Sequence, residues 1–175
     1  MKALSPADLE SFLQANRIPG EMVNLETLTP TVPAAAAAVG VQPDDIVKSI
    51  LFLVDGRPVL AIACGLSHVD ARALAARFGV GRKRVRLADP ETVLHETGYA
   101  VGAMPPFGHR ARIKTLLDLR VLERQQVYAG GGSDQTLLRI SPQTIFKVAE
   151  AEVLDLLVPP QLDEKGDSLA DGKAQ

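Results

Sequence analysis

Lys48 occupies the most unusual chemical setting in the sequence. It lies within residues 46–54, an apolar run rich in branched and aromatic side chains that predicts a β-strand. Strand alternation places Lys48 on the same side as Ile46, Ile50 and Phe52, so its ammonium needs a partner or a polar cavity. The alternative is a charge at the mouth of the strand that discourages edge-to-edge aggregation.

Residues 98–109 form the second stretch with chemical potential. Three glycines and two prolines within these twelve residues exclude a regular helix or a central strand. Val101, Met104 and Phe107 offer apolar surface to bury, which a flexible linker would not do. The composition predicts a stiff loop that forms the wall of a small-ligand pocket. The alternative is a compact connection without a function.

Conventional nucleophile and metal chemistry finds little support in the sequence. The histidines and candidate nucleophilic serines lie in no recognised catalytic or metal-binding motif: His68, His95, His109, Ser49 and Ser133. His109 ends the pocket loop, where it is either a ligand or a structural donor. Cys64 is the single cysteine, so no internal disulfide can form, and we expect it to pack in the core. We expect neither a metal nor a cofactor.

Residues 130–132 are three consecutive glycines after a predicted strand. They lack the spacing of a phosphate-binding loop and precede a strand rather than a helix, which argues against nucleoside triphosphate binding. We expect a second loop here, whose backbone N–H groups can meet the oxygens of a ligand.

The charge is unevenly distributed. The formal net charge is −2, and residues 159–175 alone account for it. Basic side chains cluster in residues 77–86 and again in residues 110–114, directly after the loop. Two basic clusters favour a polyanionic ligand that runs toward the pocket, whereas the alternative is a solvated rim.

The element pattern predicts an α+β fold. Capping boxes and helix formers predict helices at 5–16, 31–39, 67–78, 90–97 and 141–148, the last with an extension toward 157. His68 is expected in the first turn of the helix at 67–78. Alternation and apolar runs predict strands at 22–28, 46–54, 58–63, 85–87, 113–117, 126–129 and 137–140. The second and third strands form a hairpin buried on both faces.

A chain of 175 residues with 46% apolar content is long enough for one domain with a substantial core. Neither a membrane span nor a signal peptide is predicted, so we expect a cytoplasmic protein without a membrane partner. We divide the chain into an N-terminal helix and connection at 1–21, the main domain at 22–158 and a disordered acidic tail at 159–175.

The sequence resembles the YbaK family, the free-standing relatives of the prolyl-tRNA synthetase editing domain, over residues 22–157. The resemblance rests on the alanine-rich helix, Lys48-Ser49 in the first long strand, the segment 67–70, the loop at 98–109 and the turn at 129–131. Its most specific features are Lys48 and the GxxxP sequence at 102–106. The family implies a curved, mixed, mainly antiparallel and partly barrel-like β-sheet covered by helices.

The resemblance also implies hydrolysis of the ester that joins a wrong amino acid to a tRNA, with cysteine and alanine on proline-specific tRNA among the family's substrates. It assigns Lys48 and Gly102 to catalysis, without a metal. We expect substrate contacts from Ser49, Gly98, Tyr99, Ala103, Met104, Pro105, Pro106, Phe107, Gly108, His109, Gly130 and Gly131. We expect tRNA contacts from Arg82, Lys83, Arg84 and Arg110. Ser133-Asp134 replaces a basic residue that some relatives carry.

The resemblance implies two partners, the acceptor end of an aminoacyl-tRNA and a synthetase. We expect the protein to be either a monomer or a homodimer. Two other functions stay open: a non-catalytic module of the same fold that binds a tRNA end or a synthetase, and a hydrolase of another small acyl ester. Retention of both Lys48 and the 102–106 loop favours the editing enzyme.

Overall fold

The computed structural model describes residues 2–158, so the predicted acidic tail lies outside the described residues. Five α-helices are present in this part: α1 (Pro6–Ala15), α2 (Val32–Val39), α3 (Ala71–Phe78), α4 (Pro90–Thr97) and α5 (Pro142–Val148). The strands are β1 (Glu21–Asn24), β2 (Val47–Val54), β3 (Arg57–Cys64), β4 (Val85–Leu87), β5 (Lys114–Asp118), β6 (Val127–Ser133), β7 (Thr136–Ile140) and β8 (Glu152–Leu154).

The eight strands of the described residues divide into two sheets. One has the order β1-β7-β6 and is antiparallel, and the other has the order β4-β2-β3-β5-β8 and is mixed. An isolated parallel bridge between Ile46 and Tyr128 links the sheets beside the start of β2. The α+β fold predicted from the sequence is confirmed, with two linked sheets in place of a single one.

The main core lies between the two sheets and also buries α1 and the loop at 98–109. Its members include Leu9, Leu51, Leu60, Leu138 and Ile145, each at most 1% exposed. A second cluster lies under α3 on the opposite face of the larger sheet, and a third lies between α2 and β7. Consecutive β2 residues therefore face different clusters, because side chains alternate along a strand.

The β2–β3 hairpin follows its prediction, with a tight turn at Asp55-Gly56 and antiparallel pairing of Val47 with Cys64. All β3 residues from Val59 onward are buried. In β2 the last four residues are buried, whereas Lys48, Ser49 and Ile50 are half-buried. The hairpin thus opens at the Lys48 end, where a cavity forms.

Several element boundaries differ from the prediction for local physical reasons. Strand β1 ends at Asn24, four residues earlier than predicted. Helix α3 begins at Ala71 because Asp70 caps it, accepting a hydrogen bond from the Arg72 amide at 2.9 Å, so His68 precedes the helix.

The C-terminal end of α5 also differs from the prediction. The helix stops at Val148, and Glu150 adopts a left-handed conformation with φ of 46°. Residues 152–154 then pair in parallel with β5 instead of continuing a helix. A parallel neighbour 36 residues upstream leaves no local signal, so the sequence pattern predicts a helix here.

Candidate active site

A cavity of about 200 Å³ lies at the open end of the β2–β3 hairpin. We call it the Lys48 cavity. Four parts of the chain line it: the β1–α2 connection with the start of α2, the beginning of β2, the 98–109 loop, and the paired strands β6 and β7. The lining residues are Thr29, Pro30, Thr31, Val32, Ala35, Ile46, Val47, Lys48, Ser49, Gly102, Met104, Ala129, Gly130 and Leu137.

Lys48 is held at this cavity by one hydrogen bond. Its Nζ donates to the carbonyl of Ser67 at 2.5 Å, and no carboxylate pairs with it among the described residues. Burial lowers the pKa of the Lys48 ammonium, and the nearby Cys64 thiol opposes that shift only in part. An ammonium has three N–H groups, so two remain for a ligand.

Gly102 contributes an exposed backbone to the wall of this cavity. Its φ of 85° lies in the left-handed region, and a Cβ placed there would meet no atom within 4 Å. A larger residue would therefore strain the backbone and project a side chain into open space beside the cavity. The loop brings Gly102 and Met104 to the same cavity as Lys48.

The triple glycine lets β6 pack directly against this loop. A Cβ on Gly130 would collide with the carbonyl oxygens of Ala103 and Met104, and the Gly132 amide donates to the Ala103 carbonyl at 2.9 Å. The glycines are part of strand β6, with a bulge between Gly130 and Ser133, so the predicted second loop is wrong. Their small size fixes the position of the loop through close backbone contact.

The second half of the loop faces elsewhere. His109 donates from Nε2 to the Pro105 carbonyl at 2.8 Å, since that oxygen can only accept, and its ring lies edge-on to Tyr99. Burial lowers the pKa of His109 and raises that of Tyr99 to about 12, so both side chains are neutral structural groups at pH 7. Val101 is 61% exposed, contrary to the expectation that it would be buried.

A second cavity, of about 250 Å³, lies on that side of the loop between α1 and the end of α5. It shares no lining residue with the Lys48 cavity. Among the predicted site residues, Ser49, Gly102, Met104 and Gly130 line the Lys48 cavity, whereas Pro106, Phe107, Gly108, His109 and Arg110 line the second. Gly98, Tyr99, Ala103, Pro105 and Gly131 line neither cavity.

Comparison with known proteins decides the family. The model of the aminoacyl-tRNA editing domain matches residues 26–148. The chain belongs to the aminoacyl-tRNA editing domain family. The resemblance to YbaK-like proteins is thereby confirmed, and the Lys48 cavity lies within the matched region.

Relatives and solved structures agree with this family. The chain is 29% identical over 143 residues to the uncharacterised protein YwhH of Bacillus subtilis, covering 81% of this chain and 88% of that one. It is 32% identical over 120 residues to the proline–tRNA ligase of Maridesulfovibrio salexigens, covering 65% of this chain and 20% of the ligase. The editing domain thus spans about one fifth of that ligase.

One solved structure superimposes over nearly the whole editing domain. It is the crystal structure of a candidate trans-editing enzyme for prolyl-tRNA synthetase, with a TM-score of 0.83 and 29% identity. The match covers 91% of this chain and 100% of that one. The similarity therefore includes the two linked sheets and the elements around the cavity.

The basic residues of the editing domain lie apart from the Lys48 cavity. Arg82, Lys83 and Arg84 form a 3-10 helix beside the β2–β3 turn, where Arg84 pairs with Asp55 at 3.1 Å. Six residues separate Lys48 from the turn end of β2, which is roughly 20 Å of strand. Arg110 borders the second cavity and donates to the Leu94 carbonyl at 3.2 Å. The tRNA contacts expected from Arg82, Lys83, Arg84 and Arg110 stay a prediction.

Sequence reasoning missed the wall contributed by the β1–α2 connection. Thr29, Pro30 and Thr31 precede α2, and Ala35 of α2 faces the cavity. The run of five alanines was the available signal, because a helix of small residues can approach a neighbouring sheet closely. Its partner, the start of β2, could not be identified without the fold.

Residues 2–158 contain no group of three or more histidine, cysteine, aspartate or glutamate side chains placed to hold a metal ion. No helix within the same residues is long and apolar enough to cross a membrane.

The contact between β6 and the loop generates a stability prediction. Gly130→Ala should lower the free energy of unfolding by about 1–3 kcal/mol, because its Cβ displaces the carbonyls of the loop. Gly81→Ala is the matched control, since its Cβ meets no atom within 4 Å and its φ is −67°. Urea denaturation of both variants measures the difference. Equal stability of the two variants would contradict the packing role of Gly130.

Proposed function

We propose that this editing domain hydrolyses the ester of a wrongly attached small amino acid on tRNA, acting in trans on proline-specific tRNA. The observation that carries the proposal is the convergence of Lys48 and Gly102 on one cavity of about 200 Å³ within the family-matched residues. The resemblance to free-standing editing proteins names cysteine and alanine as such amino acids. A cavity of this size has room for a small amino-acid side chain.

The chemistry proposed for the cavity is substrate positioning with electrostatic stabilisation. An aminoacyl ester is already activated, and the neighbouring ribose hydroxyl can assist its own hydrolysis. The Lys48 ammonium has two N–H groups available for negative charge on the reacting ester or the terminal nucleotide. Gly102 presents an exposed backbone to the same cavity, where it can hold the ester and the attacking water in line.

The lining also defines what must come from the substrate. None of the lining residues is a carboxylate, an imidazole or a thiol, and Lys48 cannot accept a proton while it is an ammonium, so no side chain of the cavity supplies a general base in that state. The proton of the attacking water would then pass to a group of the substrate. The same observation favours a second candidate function, a non-catalytic module that binds aminoacyl-tRNA without hydrolysing it.

Deacylation assays test the proposal. Proline-specific tRNA charged with alanine, cysteine, serine or proline is incubated with the wild-type protein, with Lys48→Met and with Lys147→Met, an exposed lysine on α5 that serves as the control. We expect loss of at least one small ester, slowed by about 10²–10³-fold in kcat/KM by Lys48→Met and unchanged by Lys147→Met. Binding without hydrolysis by the wild type would establish the second candidate instead.

Alkaline pH should weaken ligand binding through Lys48. Because burial lowers the pKa of this ammonium below its usual value of 10.5, the side chain loses its proton at a lower pH than an exposed lysine. The affinity for an adenosine that carries an amide-linked amino acid, which cannot hydrolyse, should fall as pH rises through that lowered pKa. Calorimetric titration against pH measures it.

The Lys48→Met variant corrects this titration for the ligand's own amino group. We expect the difference between the two profiles to disappear at alkaline pH, as the wild-type lysine becomes neutral. Parallel profiles for wild type and Lys48→Met would contradict a role for the ammonium in binding.

We expect the basic 3-10 helix, Arg82–Arg84, to contact the tRNA body and to take no part in the hydrolysis itself. Combined Arg82→Glu and Arg84→Glu should weaken binding of full-length tRNA and reduce its salt dependence by about one logarithmic slope unit per lost phosphate contact. Hydrolysis of a short aminoacyl-adenosine should not change, because these residues lie roughly 20 Å along β2 from Lys48. An unchanged affinity and salt slope for full-length tRNA would refute the contact.

A further inference from the structure

The hydroxyl of Ser49 is the one buried side-chain nitrogen or oxygen without a hydrogen-bond partner among residues 2–158. Buried polar groups in folded proteins are almost always paired, because desolvation without compensation is unfavourable. An isolated exception beside a cavity indicates a group that a ligand completes. The Ser49 hydroxyl lies at the Lys48 cavity.

The position of Ser49 in β2 directs its side chain toward the main core. Val47 and Leu51 flank it in the strand and belong to the main core between the sheets, so alternation places Ser49 on that face. Lys48 belongs to the opposite face and reaches the Ser67 carbonyl before α3. The charged and the hydroxyl groups therefore lie on opposite faces of β2.

The other hydroxyl groups of the cavity are already engaged. Thr29 Oγ1 donates to the Asp134 carbonyl at 3.2 Å, and Thr31 Oγ1 accepts from the Ala34 amide at 3.2 Å as the cap of α2. The lining also includes apolar groups such as Met104 and Ala129. Ser49 is thus the only side-chain hydroxyl in the lining without a hydrogen-bond partner in the protein.

We propose that Ser49 selects the amino acid to be removed, by hydrogen bonding to a hydroxyl group on its side chain. This inference rests on the proposed ester hydrolysis and names its substrates as esters of small hydroxylated amino acids, serine and threonine, in preference to alanine and other apolar analogues. Lys48 contacts the ester or the nucleotide, and the amino-acid side chain meets Ser49 on the core-facing side of β2. A hydroxyl brought there gives and receives one hydrogen bond, whereas a methyl group leaves Ser49 unpaired.

The test compares kcat/KM for tRNA charged with serine, alanine, threonine or 2-aminobutyrate. The wild type should prefer serine over alanine, and threonine over 2-aminobutyrate, by about tenfold or more. Ser49→Ala should reduce both ratios to near one, and Ser49→Thr, which keeps the hydroxyl, should retain a preference for the hydroxylated substrate. Ser133→Ala is the control, because its Oγ bonds to Thr136 within the β6–β7 pair, away from the cavity.

The outcomes separate this inference from the proposed function. Hydrolysis of all four esters with the same ratios in wild type and Ser49→Ala would overturn the role of Ser49 and leave ester hydrolysis standing. Hydrolysis of none of them would overturn both. Thermal melting of Ser49→Ala should show no loss of stability, because the substitution removes an unpaired buried hydroxyl.

Discussion

Close backbone contact between β6 and the 98–109 loop determines the geometry of the site. A side chain at Gly130 would force the loop carbonyls of Ala103 and Met104 away from the sheet, and the neighbouring Gly102 would move with them. The Gly132 amide also bonds to the Ala103 carbonyl at 2.9 Å. The cavity is therefore built largely from rigid backbone, which suits a site that must position an ester and a water molecule.

Lys48 adds a positive charge to this cavity, and partial burial of that charge is energetically unfavourable. Its ammonium is partly desolvated at the end of an apolar hairpin, with one carbonyl as its partner, which lowers its pKa. Such an arrangement offers little to stability and is favourable when an anionic group arrives. The unpaired Ser49 hydroxyl on the neighbouring position follows the same pattern. Two adjacent residues of β2 thus carry polar groups with unused hydrogen-bonding capacity, on opposite faces of the strand.

Local signals in the sequence were sufficient to predict the elements that hold the site. The Asp-Gly turn, the Thr31 and Asp89 caps and the glycines that end α2, α3 and α4 each act within a few residues, so these elements appear where expected. Lys48 stood out because a charge in an apolar strand is rare, and the loop because proline and glycine restrict its conformations.

The remaining features depend on contacts between distant segments. Glycines at 130–132 predict a loop by propensity, yet they form a strand in which a Cβ would meet other backbone at each position: the loop carbonyls at Gly130, Thr136 at Gly131 and Ser5-Pro6 at Gly132. The 98–109 loop faces two cavities, which its composition could not reveal, and the basic 3-10 helix lies at the turn end of β2 because β4 pairs there. The parallel pairing of β8 with β5 likewise leaves no trace in adjacent residues.

Mapping a bound analogue by NMR tests the central claim, that the aminoacyl end occupies the Lys48 cavity. An adenosine with an amide-linked serine is titrated into ¹⁵N-labelled protein, and the shifts of backbone amides are recorded. The account predicts the largest changes at Ser49, Gly102 and Gly130, with little change at Gly108 and Glu150 of the second cavity. Changes concentrated at Gly108 and Glu150, with Ser49 and Gly102 unaffected, would contradict it.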